Sequence, residues 1–318
     1  MIIPLLPRRI RRRQPDFPPL RCPTPVVSIV IVTYNTGGRF IEDCLASLRR
    51  LDHADHETIV VDNASKDGTR GILERCRRDE ILVFNDENRG FAGGCNDGIA
   101  RARGEIVALL NFDTEVEPSW LTELVRPFRE DPRIAIAGCK MLFPDGRIQH
   151  AGGVVHGNGM SEHIGYREAD EGQYEEELDV DYVTGAGLAV RREFLEMCGG
   201  GLDEDYFPAY CEEVDLCYRA RLMGYRVVYV PRAVLTHHES AVLENQSPLF
   251  QRVDYRNRVL FCLKNYRLRE WLFDFVPYEV HWLRAPWSKG LRRKQVRAYL
   301  DALGCVVGRR GMSGEGAP

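Results

Sequence analysis

The chain has 318 residues, of which 44% are hydrophobic and 28% are charged, and its formal net charge is −4. This composition is that of a globular protein and excludes a disordered or fibrous chain, while the length suits one large α/β domain with additions or two small domains. The ten cysteines include no Cys-x-x-Cys pair, so we expect buried reduced thiols rather than a disulfide framework or a zinc site. The N-terminal apolar run is too short for a signal peptide, and the absence of a stretch of about 18 apolar residues argues against a membrane-spanning helix.

The charge is unevenly distributed along the chain. Residues 1–25, which we expect to form a disordered, Pro-rich basic arm, carry a net charge of +5, residues 264–310 carry +7, and residues 26–263 carry −15. An acidic body is a poor surface for the phosphates of nucleic acid, so we expect no nucleic-acid partner. Two basic ends on an acidic body are suited to attachment to an anionic membrane surface, with solubilising tails as the alternative.

Apolar β-branched runs alternate with helical patterns over the first half of the chain. The predicted strands are 26–35, 57–63, 81–85, 105–113 and 134–141, and the predicted helices are 38–50, 67–78, a short helix after a glycine-rich turn at 90–94, and 118–129. This alternation predicts an α/β fold with a doubly wound, mostly parallel sheet flanked by helices. Ligands bind such sheets beyond the carboxyl ends of the strands, where this chain has polar clusters at 33–35, 62–63 and 111–113.

The second half of the chain has a less regular pattern. Residues 142–185 are rich in glycine and acidic residues, which predicts loops and short strands that shape a pocket. Regular structure is predicted again at 187–197, in a helix from Glu212 to Met223 and in a strand at 225–230.

From about residue 249 the chain is predicted to form a helical, amphipathic tail. Within 291–310 an apolar stripe runs beside basic residues, and three tryptophans precede it. The stripe is Val296, Tyr299, Leu300, Leu303 and Val307, the basic residues are Arg292, Arg293, Lys294 and Arg297, and the tryptophans are Trp271, Trp282 and Trp287. Such a helix either lies at a membrane–water interface or packs on its own domain, and the pattern leaves both interpretations open.

Asp113 directly follows a buried strand in an acidic body. A carboxylate in this position is suited to a divalent metal, which would neutralise a leaving nucleotide diphosphate, and His237 or His238 is suited to supply a nitrogen ligand. The alternatives are a helix-capping or loop carboxylate and an incidental surface His pair.

Three acids, Glu212, Glu213 and Asp215, crowd the N-terminus of one predicted helix. The helix dipole favours acids there, so capping is one interpretation. Three acids within four residues exceed what capping requires, and repulsion between like charges raises a carboxyl pKa. A carboxylate with a raised pKa is suited to act as a general base.

The run NRGFAGGCNDG, 88–98, places glycines before and within a predicted helix. Glycines there permit close backbone approach to a phosphate or a ribose. The spacing is not Gly-x-Gly-x-x-Gly and the run follows the third strand, which disfavours a dinucleotide-binding dehydrogenase.

Seven segments occur in the order found in family 2 glycosyltransferases with a GT-A fold. They are VSIVIVTYN, VDNASKDGT, NRGFAGGCNDGI, LLNFDTEVEP, TGAGLAVRREFLE, YCEEVDLCYRARLMGYRVVYVP and THHES. The chain therefore resembles this family over about 26–265, and within it the bacterial rhamnosyltransferase-like members that build cell-surface polysaccharides. The segment YRNRVLFCLKNY, 255–266, is also similar to their C-terminal segment.

The resemblance implies a division of the chain and roles for individual residues. A GT-A domain at 26–248 would comprise a nucleotide-binding half, 26–141, and an acceptor-binding half, 142–248, followed by the tail 249–318. Donor-binding positions are implied for Thr33, Asn35, Asp62, Asn63, Gly90, Asn96 and Asn111, the last standing where the family's DxD motif has its first Asp. Asp113 matches the metal-binding end of that motif, and His237, or His238 in a shifted register, would complete the coordination of Mn²⁺ or Mg²⁺.

The resemblance implies that Glu213 is the catalytic base, because it stands where the family has a catalytic Asp, with Glu212 and Asp215 as neighbouring catalytic-site acids. The implied reaction is inverting sugar transfer from a nucleotide-diphosphate sugar to a glycan or polyprenyl-diphosphate-linked acceptor. We expect the protein in the cytoplasm, peripherally bound to the cytoplasmic face of the membrane.

Two alternatives stay open at the level of sequence. A catalytically weak or inactive nucleotide-sugar-binding protein would fit Asn111 and Glu213, the two departures from the family pattern. A related nucleotidyltransferase is expected to show a glycine-rich, basic triphosphate loop after the first strand, where TYNTGGRF has Arg39 as its one basic residue.

Overall fold

The structure, a computed structural model, describes residues 20, 26–38, 40–239, 248–284 and 292–306. The predicted basic arm, 1–25, lies outside this part of the chain apart from Leu20. The strands are β1 (Val27–Thr33), β2 (His56–Asp62), β3 (Ile81–Phe84), β4 (Ile106–Asn111), β5 (Thr114–Val116), β6 (Ile134–Leu142), β7 (Ile148–His150), β8 (Gly153–Val155), β9 (Ser161–His163), β10 (Leu178–Asp179), β11 (Gly187–Arg191) and β12 (Arg226–His237). The helices are α1 (Ile41–Leu48), α2 (Thr69–Cys76), α3 (Gly90–Ile99), α4 (Trp120–Glu130), α5 (Arg192–Met197), α6 (Glu212–Leu222), α7 (Pro248–Asn265), α8 (Leu268–Glu270), α9 (Val276–Arg284) and α10 (Arg292–Val306), with a 3₁₀ turn at Glu204–Tyr206 and a π turn at Trp271–Phe275.

A ten-stranded sheet forms the centre of the fold. Its order is β10-β12-β6-β11-β4-β1-β2-β3, with β5 paired to β12 and β7 paired to β6. Parallel pairs join β1 to β2 and β4, β2 to β3, and β6 to β12. The predicted α/β fold with a mostly parallel sheet is therefore confirmed.

One principal strand, β11, runs antiparallel to both of its neighbours, β4 and β6. Its first residue, Gly187, lies opposite Leu110 near the carboxyl end of β4. The chain thus enters β11 from the edge where the parallel strands end, so this strand must run back toward the opposite edge. The result is a mixed sheet.

The glycine-rich run lies inside a helix and does not form the predicted turn. Helix α3 begins at Gly90, and a Cβ atom at Gly94 or Gly98 would lie 2.7 Å from Val32 Cγ1 or 2.3 Å from Val30 Cγ1. These two glycines therefore let α3 pack closely against β1, which corrects their interpretation as a loop that approaches phosphate.

The core lies in two layers, one on each face of the sheet. Alternate residues of β1 point to opposite faces, so Val30 joins one layer while Ile29 and Ile31 join the other. Helix α7 belongs to the first layer, in which Leu260 and Phe261 are fully buried. This part of the predicted tail is packed on its own domain.

Helices α7, α9 and α10 are fastened together by buried polar contacts. Arg258 forms two hydrogen bonds to Glu279, with Nη1–Oε2 2.8 Å and Nη2–Oε1 2.9 Å, and the Tyr299 hydroxyl donates to Glu279 Oε1. The fully buried residues Ala298 and Ala302 line the inner face of α10.

The predicted stripe of α10 is not buried as a unit. Val296, Leu300 and Leu303 are exposed, at 58%, 65% and 47% of their surface, whereas Tyr299 is half-buried and Val307 lies outside the described residues. The fully buried positions of this helix are alanines instead, Ala298 and Ala302. Trp271 packs against Phe275, and the side chains of Trp282 and Trp287 lie outside the described part.

A second exposed apolar row, which the sequence analysis did not find, runs through α8, the π turn and α9. Leu268, Leu272, Val276 and Val280 recur every four residues, and Phe273 lies beside them with 70% of its surface exposed. A spacing of four residues places side chains on one helix face. Within the described residues, no helix combines the length and apolarity needed to cross a bilayer.

Two histidines of the irregular region 142–185 are in contact with each other. His150 on β7 and His163 on β9 are joined by an Nδ1–Nδ1 contact of 2.8 Å. Burial lowers the pKa of His163 to about 4 and lowers the pKa of His150 well below its usual value. Both imidazoles are therefore neutral in the native state at neutral pH.

This histidine pair predicts a pH-dependent stability. Between about pH 6.5 and 4 the unfolded chain binds protons at these histidines and the native state does not. The free energy of unfolding should therefore fall with falling pH, by up to about 1.4 kcal/mol per pH unit for each histidine. His163→Asn should reduce this slope in urea denaturation at pH 7 and pH 5, whereas His281→Asn, at an exposed site on α9, should leave it unchanged. If the free energy of unfolding changes equally with pH in both variants, the lowered pKa of His163 is not the cause of the pH dependence.

Candidate active site

The carboxyl ends of β1 and β2 bring three predicted donor-binding residues together. Thr33 lies opposite Asp62 in the parallel register, and its hydroxyl lies 3.5 Å from Asp62 Oδ1. The buried Asp62 carboxylate also accepts hydrogen bonds from Ser65 N at 3.1 Å and from Arg70 Nε at 2.6 Å. Asn35 follows β1 and its Oδ1 accepts from Lys66 N at 2.8 Å, so both strand ends are tied to the loop that follows β2.

Asn63 fixes the start of helix α3. Its Nδ2 donates to Asn88 Oδ1 and to Gly90 O, both at 2.9 Å, and its Oδ1 accepts from Arg89 N at 3.1 Å. Gly90 has φ +72°, and a Cβ atom there would lie 2.7 Å from Pro208 O. Asn63 thus holds the first residues of α3 by hydrogen bonds to their backbone, and Gly90 leaves space for the Pro208 carbonyl.

Asn96 lies on the part of α3 that faces another loop. Its Nδ2 donates to Leu202 O and Glu204 Oε1, both at 2.9 Å, and its Oδ1 accepts from Leu202 N at 2.8 Å. A cleft of about 330 Å³ opens beside it, lined by Cys198 to Glu204 and by Arg219. These contacts bind Asn96 to the 202–204 loop and give no support to its predicted role in donor binding.

The residues predicted to hold a metal meet where β4, β5 and β12 converge. Thr114 of β5 pairs with His237 of β12, which brings His237 Nε2 to 3.2 Å from Asp113 Oδ1 and to 3.4 Å from Asn111 Nδ2. Asp113 is 3% exposed, so this pair is nearly shielded from solvent.

The two candidate histidines have different surroundings. The His238 ring stacks on Phe40 with centroids 4.6 Å apart, and its Nε2 lies 2.8 Å from Glu115 Oε1. The structure therefore brings the ring of His237, and not that of His238, to the Asp113 carboxylate, while the backbone N of His238 donates to Asp113 O at 2.9 Å.

The donor chemistry at this point fits a divalent cation whose other ligands come from substrate and water. One carboxylate oxygen and one imidazole nitrogen 3.2 Å apart suit Mn²⁺ or Mg²⁺. In the described ranges, no group of three or more His, Cys, Asp or Glu residues is placed to bind a metal. A cation held by two protein groups keeps positions open for a diphosphate, which is how magnesium is commonly bound beside phosphates.

The three acids of α6 have three different environments. Glu212 is 2% exposed, its Oε2 has no hydrogen-bond partner among the described residues, and burial raises its pKa well above the usual value. Asp215 accepts hydrogen bonds from the Tyr206 hydroxyl at 3.1 Å, Arg219 Nε at 2.7 Å and Asn265 Nδ2 at 2.6 Å. Glu212 is thus a buried acid with a raised pKa, whereas Asp215 is held in the helix framework by three hydrogen bonds.

Glu213 is the partly exposed member of this group. Burial, together with the charge of Asp254 on α7, raises its pKa to about 7. A carboxyl group with a pKa near the ambient pH is suited to general-base catalysis. Of the three acids, Glu213 is the one that is partly exposed and has a pKa of about 7.

A short turn before β11 connects Glu213 to the Asp113 region. A Cβ atom at Gly185 would lie 3.8 Å from Glu213 Cβ and 3.1 Å from the Phe91 ring. The next residue, Ala186, accepts a hydrogen bond from Asn111 N at 3.1 Å. The candidate base and the candidate metal ligands are thus held at the same edge of the sheet.

Sequence reasoning missed three residues that support this site. Gln149 lies 2.7 Å from His237 Nδ1, Asp254 raises the pKa of Glu213, and Asn257 hydrogen-bonds the loop before α6. Asn257 lies in the YRNR segment, where polar residues within an apolar helix were a usable signal. Gln149 lies in the irregular region and has no pattern that marks it.

Comparison with known proteins places the chain in a family. The family model for glycosyl transferase family 2 matches residues 28–197. The chain is 32% identical over 228 residues to the O-antigen biosynthesis protein RfbC of Myxococcus xanthus, which covers 69% of this chain and 18% of that protein. It is 29% identical over 244 residues to N-acetylglucosaminyl-diphospho-decaprenol L-rhamnosyltransferase of Mycobacterium tuberculosis, which covers 68% of this chain and 77% of that enzyme.

Solved structures agree on the fold. A mannosyltransferase from Pyrobaculum calidifontis in complex with GDP-Man and Mn²⁺ superposes with a TM-score of 0.56 at 19% identity, covering 96% of this chain and 81% of that one. The chain spans less than a third of the length of the first two curated relatives it matches, at 28% and 18%. The family match extends over more than half of the chain, and the chain therefore belongs to glycosyltransferase family 2 and has a GT-A fold.

Proposed function

We propose that the chain is a metal-dependent inverting glycosyltransferase that moves a sugar from a nucleotide-diphosphate donor to a glycan acceptor in cell-surface polysaccharide synthesis. The observation that carries this proposal is the arrangement at one sheet edge. Asp113 and His237 meet at 3.2 Å, and Glu213, with a pKa of about 7, lies beside the turn that hydrogen-bonds Asn111.

The proposed reaction is a single displacement. Glu213 accepts the proton of an acceptor hydroxyl, whose oxygen attacks the anomeric carbon from the face opposite the nucleotide. The bond from that carbon to the diphosphate oxygen breaks, and the anomeric configuration inverts. A cation bound by Asp113 and His237 would supply electrostatic stabilisation of the leaving diphosphate. Because the leaving group is already a weak base, the site needs one proton acceptor and no general acid.

The identity of donor and acceptor is proposed from one relative. The mycobacterial protein is named for transfer of L-rhamnose to a diphospho-decaprenol-linked sugar, and it is 29% identical to this chain. We infer a rhamnose donor and a polyprenyl-diphosphate-linked acceptor. In the described part of the chain the cysteines are free thiols, which agrees with a reducing, cytoplasmic location.

Replacement of the base provides the first test. Glu213→Gln preserves shape but cannot accept a proton, so turnover should fall by roughly 10²–10⁴-fold while donor affinity changes little. The measurement is transfer of radiolabelled sugar to a synthetic polyprenyl-linked acceptor, after a thermal-shift panel of nucleotide sugars with Mn²⁺ has identified the donor.

Glu212→Gln is the matched control for this test. Because Glu212 is buried and burial raises its pKa, its replacement by the neutral Gln should cost less activity than the replacement of Glu213. A larger loss in Glu212→Gln would assign the base to that residue. A wild-type protein that binds donor and never transfers it would favour the nucleotide-sugar-binding alternative.

The metal assignment gives a separate prediction. Asp113→Ala should abolish transfer and remove the part of nucleoside-diphosphate binding that depends on Mn²⁺, because the carboxylate is one of two protein ligands. Isothermal titration of UDP, GDP and dTDP with and without Mn²⁺ measures this. Binding in the variant that still increases with Mn²⁺ would overturn the assignment.

We also propose peripheral attachment to the cytoplasmic face of an anionic membrane. Exposed apolar side chains line the row Leu268–Val280 and the outer face of α10, and the exposed basic residues Arg267, Arg269, Arg284 and Arg297 lie on the same helices. Apolar burial combined with several basic residues, each contributing about 1 kcal/mol near an anionic surface before screening, gives reversible interfacial binding.

Substitution of the exposed row tests this attachment. The triple variant Leu268→Ser, Leu272→Ser, Phe273→Ser should sediment with anionic vesicles much less than the wild type, and high salt should weaken wild-type binding. The control is Met197→Ser, which removes an exposed apolar side chain from α5, outside the row. Point substitutions test the row more specifically than removal of residues 264–318, because that removal would also leave the buried Arg258 without its partner Glu279. Equal binding of the wild type to neutral and anionic vesicles would contradict the electrostatic part of the proposal.

A further inference from the structure

Gln149 touches the ring of His237 on the side away from Asp113. Gln149 lies on β7, is 5% exposed, and its Oε1 lies 2.7 Å from His237 Nδ1. A carboxamide oxygen can accept a hydrogen bond but cannot donate one, so this contact requires a proton on Nδ1. Gln149 therefore determines which ring nitrogen carries the proton.

The opposite nitrogen of the same ring is left with its lone pair. A neutral imidazole has one N–H group, so a proton on Nδ1 makes Nε2 an acceptor. Asn111 Nδ2, which is a donor, lies 3.4 Å from Nε2 and agrees with this assignment. Nε2 and the carboxylate oxygen Asp113 Oδ1, 3.2 Å apart, are then two acceptors directed at one region, which favours a cation between them.

We propose that Gln149 is a positioning residue that fixes the tautomer and orientation of His237 for metal binding. This inference rests on the proposed metal site. Partners that hold the second nitrogen of a metal-binding histidine typically change metal affinity by roughly 10–100-fold when they are removed. Gln149 touches neither donor nor acceptor in this role and acts through His237.

The neighbouring histidine provides a matched control. His238 also has one ring nitrogen in contact with a side-chain oxygen, with Nε2 2.8 Å from Glu115 Oε1. The two contacts are similar in length and lie on adjacent residues of one chain segment. Only the Gln149 contact, however, leaves an Nε2 lone pair facing Asp113.

The experiment measures Mn²⁺ binding without substrate, by loss of the free Mn²⁺ signal in electron paramagnetic resonance. Gln149→Leu, which cannot accept a hydrogen bond, should weaken Mn²⁺ binding by roughly 10–100-fold. Gln149→Glu retains the acceptor and should bind Mn²⁺ at least as tightly as the wild type. Glu115→Gln should bind as the wild type does, and circular dichroism checks that each variant is folded.

A second readout does not involve the metal. Long-range ¹H–¹⁵N spectra of metal-free protein labelled at histidine, with the His237 signals assigned from His237→Ala, should show Nδ1 protonated in the wild type and in Gln149→Glu. In Gln149→Leu the proton should be shared between the two nitrogens.

The outcomes separate this inference from the proposed function. A wild type that binds no Mn²⁺ even when a nucleoside diphosphate is present, or a His237→Ala variant that binds it normally, overturns the metal site itself. If His237→Ala weakens binding and Gln149→Leu does not, the metal site stands and the role of Gln149 is wrong. Equal weakening in Glu115→Gln and Gln149→Leu also overturns it, because the effect would then be unspecific.

Discussion

The candidate site depends on one buried amide. Asn257 Nδ2 lies 2.8 Å from each of three backbone carbonyls, those of Tyr206, Ala209 and Tyr210, and the side chain is fully buried. The loop that it holds contains two consecutive residues with φ +77°, Tyr210 and Cys211, a conformation that costs free energy for non-glycine residues. Helix α6 begins directly after this loop, so the Asn257 contacts from α7 help to position Glu213.

The same loop also contacts the start of α3, beside the predicted donor-binding residue Gly90. Pro208 O accepts a hydrogen bond from Phe91 N at 2.7 Å, at the start of α3, where only glycine at position 90 leaves space for that carbonyl. The loop is thus fixed from α7 on one side and from α3 on the other. Glu213 lies next to this loop and is partly buried, and burial raises the pKa of its carboxyl group to about 7, in the range of a useful base.

The sequence predicted the site residues at the strand ends better than the residues that hold them in position. Periodicity and strand ends located Thr33, Asp62 and Asp113, because buried parallel strands are continuous apolar runs that end in polar residues at one edge. The sequence could not show whether His237 or His238 has its ring beside the Asp113 carboxylate, because this depends on the register of β12 against β5. The contacts of Gln149 and Asn257 join segments more than 45 residues apart, and no local pattern encodes such contacts.

The exposed apolar residues of the C-terminal helices follow from how these helices are anchored. The Arg258–Glu279 pair is buried, doubly hydrogen-bonded, and extended by Asn158 Nδ2 at 3.1 Å from Glu279 Oε2. Removing one partner from such a pair costs about 3–5 kcal/mol, so α9 cannot rotate to bury its outer row without losing it. The row Leu268–Val280 is therefore held outward by the polar contacts that join α9 to α7, the helix that also holds the loop before α6. The same packing thus both supports the candidate site and presents an apolar face to the surroundings.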